Sequence, residues 1–285
     1  MAVSLIAPLD DVPLAFIDVE TTGSSPKFGE RITEVAVLRV QGGQVVSRYS
    51  QLVNPQWRIA AGVVALTGIT PEMVADQPTF AEQAPALLAA LRGSVLVGHN
   101  VKFDLGFLAA DFAHAGYSLA DELGERTHVL DTVRIARKLF GRGGNGLQRL
   151  AARLGGSPST AHRAMADCET TLFVLRQMLT PLGGFKLPLV DVLGLQGGAI
   201  SAAAAVPAGR DVVTLPLELQ EALTAKQPVE MVYLDARHRR TVRCVVPLSV
   251  SSRSGSAMLV AFCQLRNEQR TFRMDRVVGF RALSS

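Results

Sequence analysis

The stretch Leu14-Ala-Phe-Ile-Asp-Val-Glu-Thr-Thr-Gly23 decides how this chain is read. Its first half is a short apolar run, the pattern of a strand buried on both faces. The run ends in two carboxylates, Asp18 and Glu20, spaced two apart, so that both project to the same side of the strand. Two acids side by side at the edge of a core repel each other and favour cations between them. A D-x-E pair alone is weak, because ordinary surface strands produce it often.

Outward from this stretch, residues 33–40 and 44–53 alternate in polarity and are joined by Gln41-Gly-Gly-Gln44, which predicts a hairpin. Residues 94–98 read as a second buried strand and 127–130 as a weaker one. Helical periodicity falls around 80–92, 101–115, 131–140, 146–154 and 163–179. It is clearest in the last, where Ala164, Cys168, Thr171, Leu172, Leu175 and Leu179 form one apolar stripe. A hairpin followed by alternating strands and helices predicts an α/β domain with a mixed sheet over residues 1–180. Residues 181–212, rich in Gly, Ala and Pro, read as a linker. Residues 213–285 then give a short helix near 216–226 and strands at 229–235, 240–246, 257–264 and 270–274, the pattern of a small, mostly-β domain of the SH3-like barrel kind.

The bulk numbers bound the function. The chain has 285 residues, 48% of them apolar and 19% charged, a globular and not a disordered composition. Cys168, Cys244 and Cys263 form no CxxC pair and no disulfide framework, which points to a reducing, cytoplasmic setting and away from a zinc site. The N-terminus lacks the basic and apolar regions of a signal peptide. The charge-free stretch between Asp191 and Arg210 is broken by Gln196, Gly197-Gly198 and Pro207, so no membrane span is expected. Charge is unevenly divided. Residues 1–180 carry 16 Lys+Arg against 17 Asp+Glu, whereas the last 60 residues carry 11 against 4. A polyanionic partner is one reading of that surplus, and ordinary solubility the other.

Two further clusters carry chemistry. In Gly98-His-Asn100-Val-Lys-Phe103-Asp104 a buried strand leaves through a glycine, and Asp104 falls on the first turn of the next helix. In His162-Arg-Ala-Met-Ala-Asp167 the histidine opens a helix and the aspartate lies inside it. Taken singly, each reads equally as a helix-start residue or a solvated helix face.

Taken together and in this order, D-x-E-T-T-G, G-H-N-x-x-F-D and H-x-x-x-x-D resemble the three motifs of the DEDDh 3′→5′ exonucleases, the family of the epsilon proofreading subunits. The resemblance covers roughly residues 12–180. It implies an RNase H-like fold, with Asp18, Glu20, Asp104 and Asp167 holding two divalent metal ions, Mg²⁺ or Mn²⁺, and His162 as general base. Arg163, where the sister subclass has tyrosine, fits the histidine subclass. The chemistry is coherent: two hard cations held by oxygen ligands can clamp a scissile phosphate, and a histidine near neutral pKa can take the proton of the attacking water. The same resemblance places Thr21, Thr22, Leu66, Asn100 and Phe103 around the terminal nucleotide, while Asp131 reads as a helix cap and Trp57 as a loop-packing residue.

Near the C-terminus, Tyr233, Pro247 and Arg270-Thr-Phe-Arg-Met-Asp-Arg-Val277 resemble a WYL domain, with Ala257-Met-Leu259 at the tripeptide that names that family. Arg270, Arg273 and Arg276, with Arg237, Arg239, Arg240 and Arg243, are expected to contact nucleic acid, Phe272 either stacking on a base or filling the core. The expected partner is therefore a nucleic acid, DNA favoured, with a polymerase or repair assembly beside it. RNA trimming, a non-catalytic regulator on a nuclease fold and a polymerase accessory are the alternatives.

Overall fold

The computed structural model describes residues 3–23, 25–26, 29–124, 127–156, 162–205, 216–235, 239–253 and 256–282. The chain divides into two compact units. The first is built on the opening stretch. β1 (Leu14–Thr21) pairs antiparallel with β2 (Ile32–Gln41), which turns through Gly42-Gly43 into β3 (Gln44–Leu52). On its other side β1 pairs in parallel with β4 (Val95–Gly98), and β4 with β5 (His128–Asp131). The sheet is mixed, as the sequence predicts.

Each face of this sheet buries its own core because strand residues alternate. Leu14 and Phe16 of β1, with Ala36, Leu38 and Val40 of β2, lie on one face. They pack against α8 (Ala164–Leu179), whose Ala164, Cys168, Leu172, Leu175 and Leu179 are the stripe read from the sequence. Ala15, Ile17 and Val19 face the other way, against α3 (Phe80–Leu91) and α4 (Lys102–His114). Pro85, which makes the start of α3 uncertain in the sequence, sits inside the helix behind a Thr79–Glu82 capping box. Three short helices before β5 were not anticipated, among them α1 (Ala61–Thr67) and α2 (Pro71–Ala75). With α5 (Leu119–Leu123), they are too short to show a periodicity.

The linker expectation fails for 181–205. After α6 (Thr132–Phe140) and α7 (Leu147–Arg153), the chain beyond α8 continues into α9 (Leu189–Leu195), which buries Leu189, Val192 and Leu193 in the first core. β6 (Ile200–Ser201) then adds an edge strand antiparallel to β5, giving the order β3-β2-β1-β4-β5-β6. α10 (Ala202–Ala205) places Ala202 in the second core. Small residues disguise this segment as a linker, but they also allow close packing. Within it the Gln196 side chain is buried and bonded at both ends: Nε2 donates to Val129 O at 2.8 Å and Gly198 O at 3.1 Å, and Oε1 accepts from Asp131 N at 2.8 Å. The remaining expected linker, 206–212, lies outside the described residues.

The second unit is the expected antiparallel β domain. α11 (Leu217–Ala225) covers a sheet of β7 (Val229–Leu234), β8 (Arg240–Arg253), β9 (Ser256–Cys263), β10 (Glu268–Arg273) and β11 (Val277–Ala282), in the order β10-β9-β8-β7-β11. β11 was not anticipated, and β8 runs on past 246 through an irregularity between Pro247 and Ser249. β10 and β11 remain the two edges, with no pairing that closes a barrel among the described residues. Phe272 resolves to the core reading: it is buried with Met231, Val245 and Leu259, its ring 5.3 Å from Tyr233.

Candidate active site

β1 keeps its alternation to its end, and this creates the site. Asp18 and Glu20 continue the row of Leu14 and Phe16, so the face that is apolar at one end of the strand is acidic at the other. β2 does the same. Glu34 continues the row of Ala36 and Leu38 and stands directly opposite Glu20 in the ladder. α8 runs over this face and brings Asp167 on its first turn, buried and not on a solvated helix face.

Asp104 arrives from the far side of the sheet. Parallel pairing of β1 with β4 stops at Phe16↔Val97. Beyond it the Val19 amide donates to Asp104 Oδ1 at 3.1 Å, which ties the start of α4 to β1. The turn that brings α4 there is tight: a Cβ on Gly98 would lie 2.8 Å from Val101 Cγ2. Asn100 turns the chain with φ +71. Its N–H donates at 3.2 Å to Asp131, which also caps α6 by accepting from Val133 N at 2.9 Å, the role read for it.

Ligand atoms of Glu20, His162 and Asp167 lie within 4.8 Å of one another. His162 adopts φ +62, a left-handed conformation uncommon outside glycine and enriched at functional sites. Its N–H donates to Asp167 Oδ2 at 3.2 Å, and Gln148 Nε2 donates to Oδ1 at 2.8 Å, so Asp167 is held from both oxygens. The imidazole, expected as a general base, lies beside the donor atoms of two of the expected ligands.

The electrostatics follow from burial of like charges. Asp18 is pushed well above the usual carboxylate range by burial, then by Asp104, Asp167, Glu20 and Glu34. Burial also raises Asp104 well above its ordinary value, against the hydrogen bond from Val19. Glu20 is pushed up to about 7 by burial, Asp167 and Glu34, with Arg163 opposing. Asp167 is raised by burial despite its hydrogen bonds. Oxygen donors this crowded, with one nearby guanidinium, are the donor set that hard divalent cations take, and their repulsion is what such cations relieve.

Sequence reading missed Glu34 and gave Arg163 no partner. Arg163 grips Glu34 with Nε at 3.1 Å from Oε2 and Nη2 at 2.9 Å from Oε1, and the Ala164 amide donates to Oε2 at 3.0 Å. The pair fixes the start of α8 between His162 and Asp167. A glutamate on the core-facing row of a strand was the available signal, since a buried charge demands a partner.

The other expected residues divide. Thr21 Oγ1 donates to Gly23 O at 2.6 Å, and Thr22 is bonded through both N and Oγ1 to Arg31, so both threonines shape the turn after β1. Leu66 and Phe103 are exposed apolar side chains, at 57% and 36%. The two arginines of β10 do not share one face. Arg270 and Arg273 are an odd step apart on β10 and project to opposite sides. Arg270 meets Glu268, Arg239 meets Asp235, and Arg243 lies 5.9 Å over Phe272. Arg237 lies outside the described residues.

Comparison with known proteins identifies two families in the chain. The model of the exonuclease family RNase_T matches residues 15–175, and that of the WYL domain residues 215–282. The chain is 36% identical over 178 residues to the 3′-5′ exonuclease DinG of Bacillus subtilis (strain 168), covering 62% of this chain and 19% of that protein. It is 34% identical over 165 residues to the PolC-type DNA polymerase III of Bacillus cereus, covering 57% of this chain and 11% of the polymerase. The chain therefore spans less than a fifth of the length of either relative. Among solved structures, the zinc-bound E. coli ExoI–ssDNA complex superposes with a TM-score of 0.56 at 20% identity, over 88% of this chain and 55% of that one. A 3′-exonuclease that recognises a histone mRNA stem-loop superposes at 0.54 and 15% identity, over 75% and 76%. At these identities both speak for the fold alone.

Proposed function

The chain belongs to the RNase_T exonuclease family, and from that premise we propose a metal-dependent 3′→5′ exonuclease that releases nucleoside 5′-monophosphates from DNA. The observation that carries the reading is the clustering of Glu20, His162 and Asp167 donors within 4.8 Å, beside Asp18 and Asp104, all four acids raised by burial. Asp18, Glu20, Asp104 and Asp167 would hold two ions, Mg²⁺ or Mn²⁺. When bound, these supply charge neutralisation at the scissile phosphate and activation of the attacking water.

The chain's own residues do the rest. His162 takes the proton of the attacking water, its backbone pinned by the bond to Asp167. Gln148 and the His162 amide occupy one lone pair on each Asp167 oxygen and leave others for a cation. Phe103 and Leu66 offer apolar surface to the terminal nucleotide, and Asn100 a polar edge.

The WYL-type domain aids nucleic-acid binding through its surplus of basic residues, and the N-terminal domain works beside a polymerase or repair assembly, as the kinship with a polymerase chain suggests. No described helix is long and apolar enough to cross a membrane. The free thiols Cys168, Cys244 and Cys263 suit a reducing cytoplasm.

The test uses strands labelled at the 3′-terminal nucleotide, in DNA and RNA, single and duplex, with Mg²⁺ or Mn²⁺. Rapid release of labelled nucleoside 5′-monophosphate from DNA is expected. Release confined to RNA would transfer the activity to RNA trimming, and a label leaving only within oligonucleotides would contradict exonucleolytic attack.

A further inference from the structure

Lys102, His128, Arg134, Ala199, Ile200 and Ser201 line a cavity of about 520 Å³ where β5 and β6 form the sheet edge. It is separate from the acid centre. None of its lining residues is a carboxylate, and Lys102, although two positions before Asp104, stands roughly 200° around α4 from it.

Three observations point to an anion. First, two of the six residues are cations, and neither Lys102 nor Arg134 forms an ion pair or hydrogen bond among the described residues. Second, both belong to helix N-terminal turns, Lys102 opening α4 and Arg134 in the first turn of α6, where the helix dipole adds positive potential. Third, His128 Nδ1 is enclosed and has no hydrogen-bond partner among the described residues. A buried polar atom in that state is uncommon in a folded protein and calls for a partner. Space for the guanidinium is also provided. Gly197 has φ +90, and a Cβ there would come 3.4 Å from Arg134 Nη2.

We propose that this cavity binds a phosphate group. Arg134 presents a planar fork to two of its oxygens and Lys102 a point charge, while His128 in its Nδ1–H tautomer adds a third donor. A cationic or neutral ligand would leave both charges unmatched, and a carboxylate offers two oxygens to three separate donors. The phosphate comes either from the backbone of a bound strand or from free inorganic phosphate. The first source rests on the exonuclease reading; the site itself does not.

The experiment uses the full chain in EDTA, which removes any cation through which the acid centre could hold phosphate. Inorganic phosphate is titrated calorimetrically into wild type, Lys102→Gln/Arg134→Gln and the charge-conserving Lys102→Arg/Arg134→Lys. Wild type and the charge-conserving variant are expected to bind, and the glutamine variant to bind at least tenfold more weakly. A single-stranded DNA oligonucleotide is then bound across a salt series. A backbone source makes the log–log slope of the glutamine variant shallower by about 0.7, the share of one phosphate contact on a single strand. Superimposable salt lines with lost phosphate binding identify free phosphate as the ligand. Wild type that binds phosphate in EDTA but neither binds nor shortens the oligonucleotide when Mg²⁺ is restored would count against the exonuclease reading and leave this site standing. Phosphate binding that is absent from wild type, or equal in wild type and the glutamine variant, overturns the proposal.

Discussion

Glu20 shows most plainly what the site asks of its residues. Its carboxyl is raised from 4.5 to about 7, so the folded, metal-free protein holds a proton that the unfolded chain releases. A carboxyl raised on folding costs nothing while protonated in both states and destabilises as pH climbs from the unfolded to the folded value. Metal-free protein should therefore lose stability between about pH 4.5 and 7, and Asp18, Asp104 and Asp167, raised in the same direction, add to the slope. Thermal melts across that range in EDTA should show the fall, and millimolar Mg²⁺ should flatten it; a melting temperature that rises with pH would reverse the assignment. Arg163 makes a second case. Replacing it with Met strands the buried Glu34 carboxylate, and because the Arg163 side chain is 43% exposed the expected cost is about 1–3 kcal/mol. Adding Glu34→Gln should recover much of that loss. A double variant less stable than the sum of its parts would show that the pair is not the unit. The acids of the three motifs were legible in the sequence only because the three motifs, taken together and in order, resemble those of a known family. Glu34 was not, since its importance lies in a cross-strand register that no local spacing encodes.

Among the elements, long periodic pieces were legible and short or compositionally plain ones were not. The stripe of α8 and the apolar runs of β1 and β4 carry their periods openly. α9 and β6 hide in a Gly- and Ala-rich segment, and their contribution arises from packing and from one glutamine. Gln196→Leu removes the partner of the Asp131 amide and of the Val129 carbonyl, and should cost about 2–4 kcal/mol by leaving buried main-chain groups unpaired. Asp131 holds both α6 and the Asn100 turn, so the variant should also weaken substrate binding. Denaturant unfolding with unchanged midpoint would show the network to be dispensable. A chain ending at residue 180 loses Leu189, Val192 and Leu193 from the core and should unfold well below one ending at 205. Equal midpoints would restore the linker reading for 181–205.

For the whole molecule, the division of charge separates attraction from chemistry. Residues 1–180 are near neutral, whereas the last 60 residues hold 11 Lys+Arg against 4 Asp+Glu. Removing everything after residue 205 should raise KM for long strands and flatten the dependence of affinity on salt, with kcat on short saturating oligonucleotides little changed. Identical salt slopes for both lengths would assign the C-terminal domain to a different ligand. Chemistry belongs to the acid centre, and one time course tests this directly. A single-stranded DNA labelled at its 5′ end is incubated in saturating Mg²⁺ with wild type, Asp18→Asn or Asp167→Asn. Wild type should shorten the strand stepwise from the 3′ end. Both variants should leave it intact, yet melt in EDTA at a temperature equal to or above that of wild type, because each removes one of the repelling charges. Shortening at the wild-type rate by either folded variant would contradict the account.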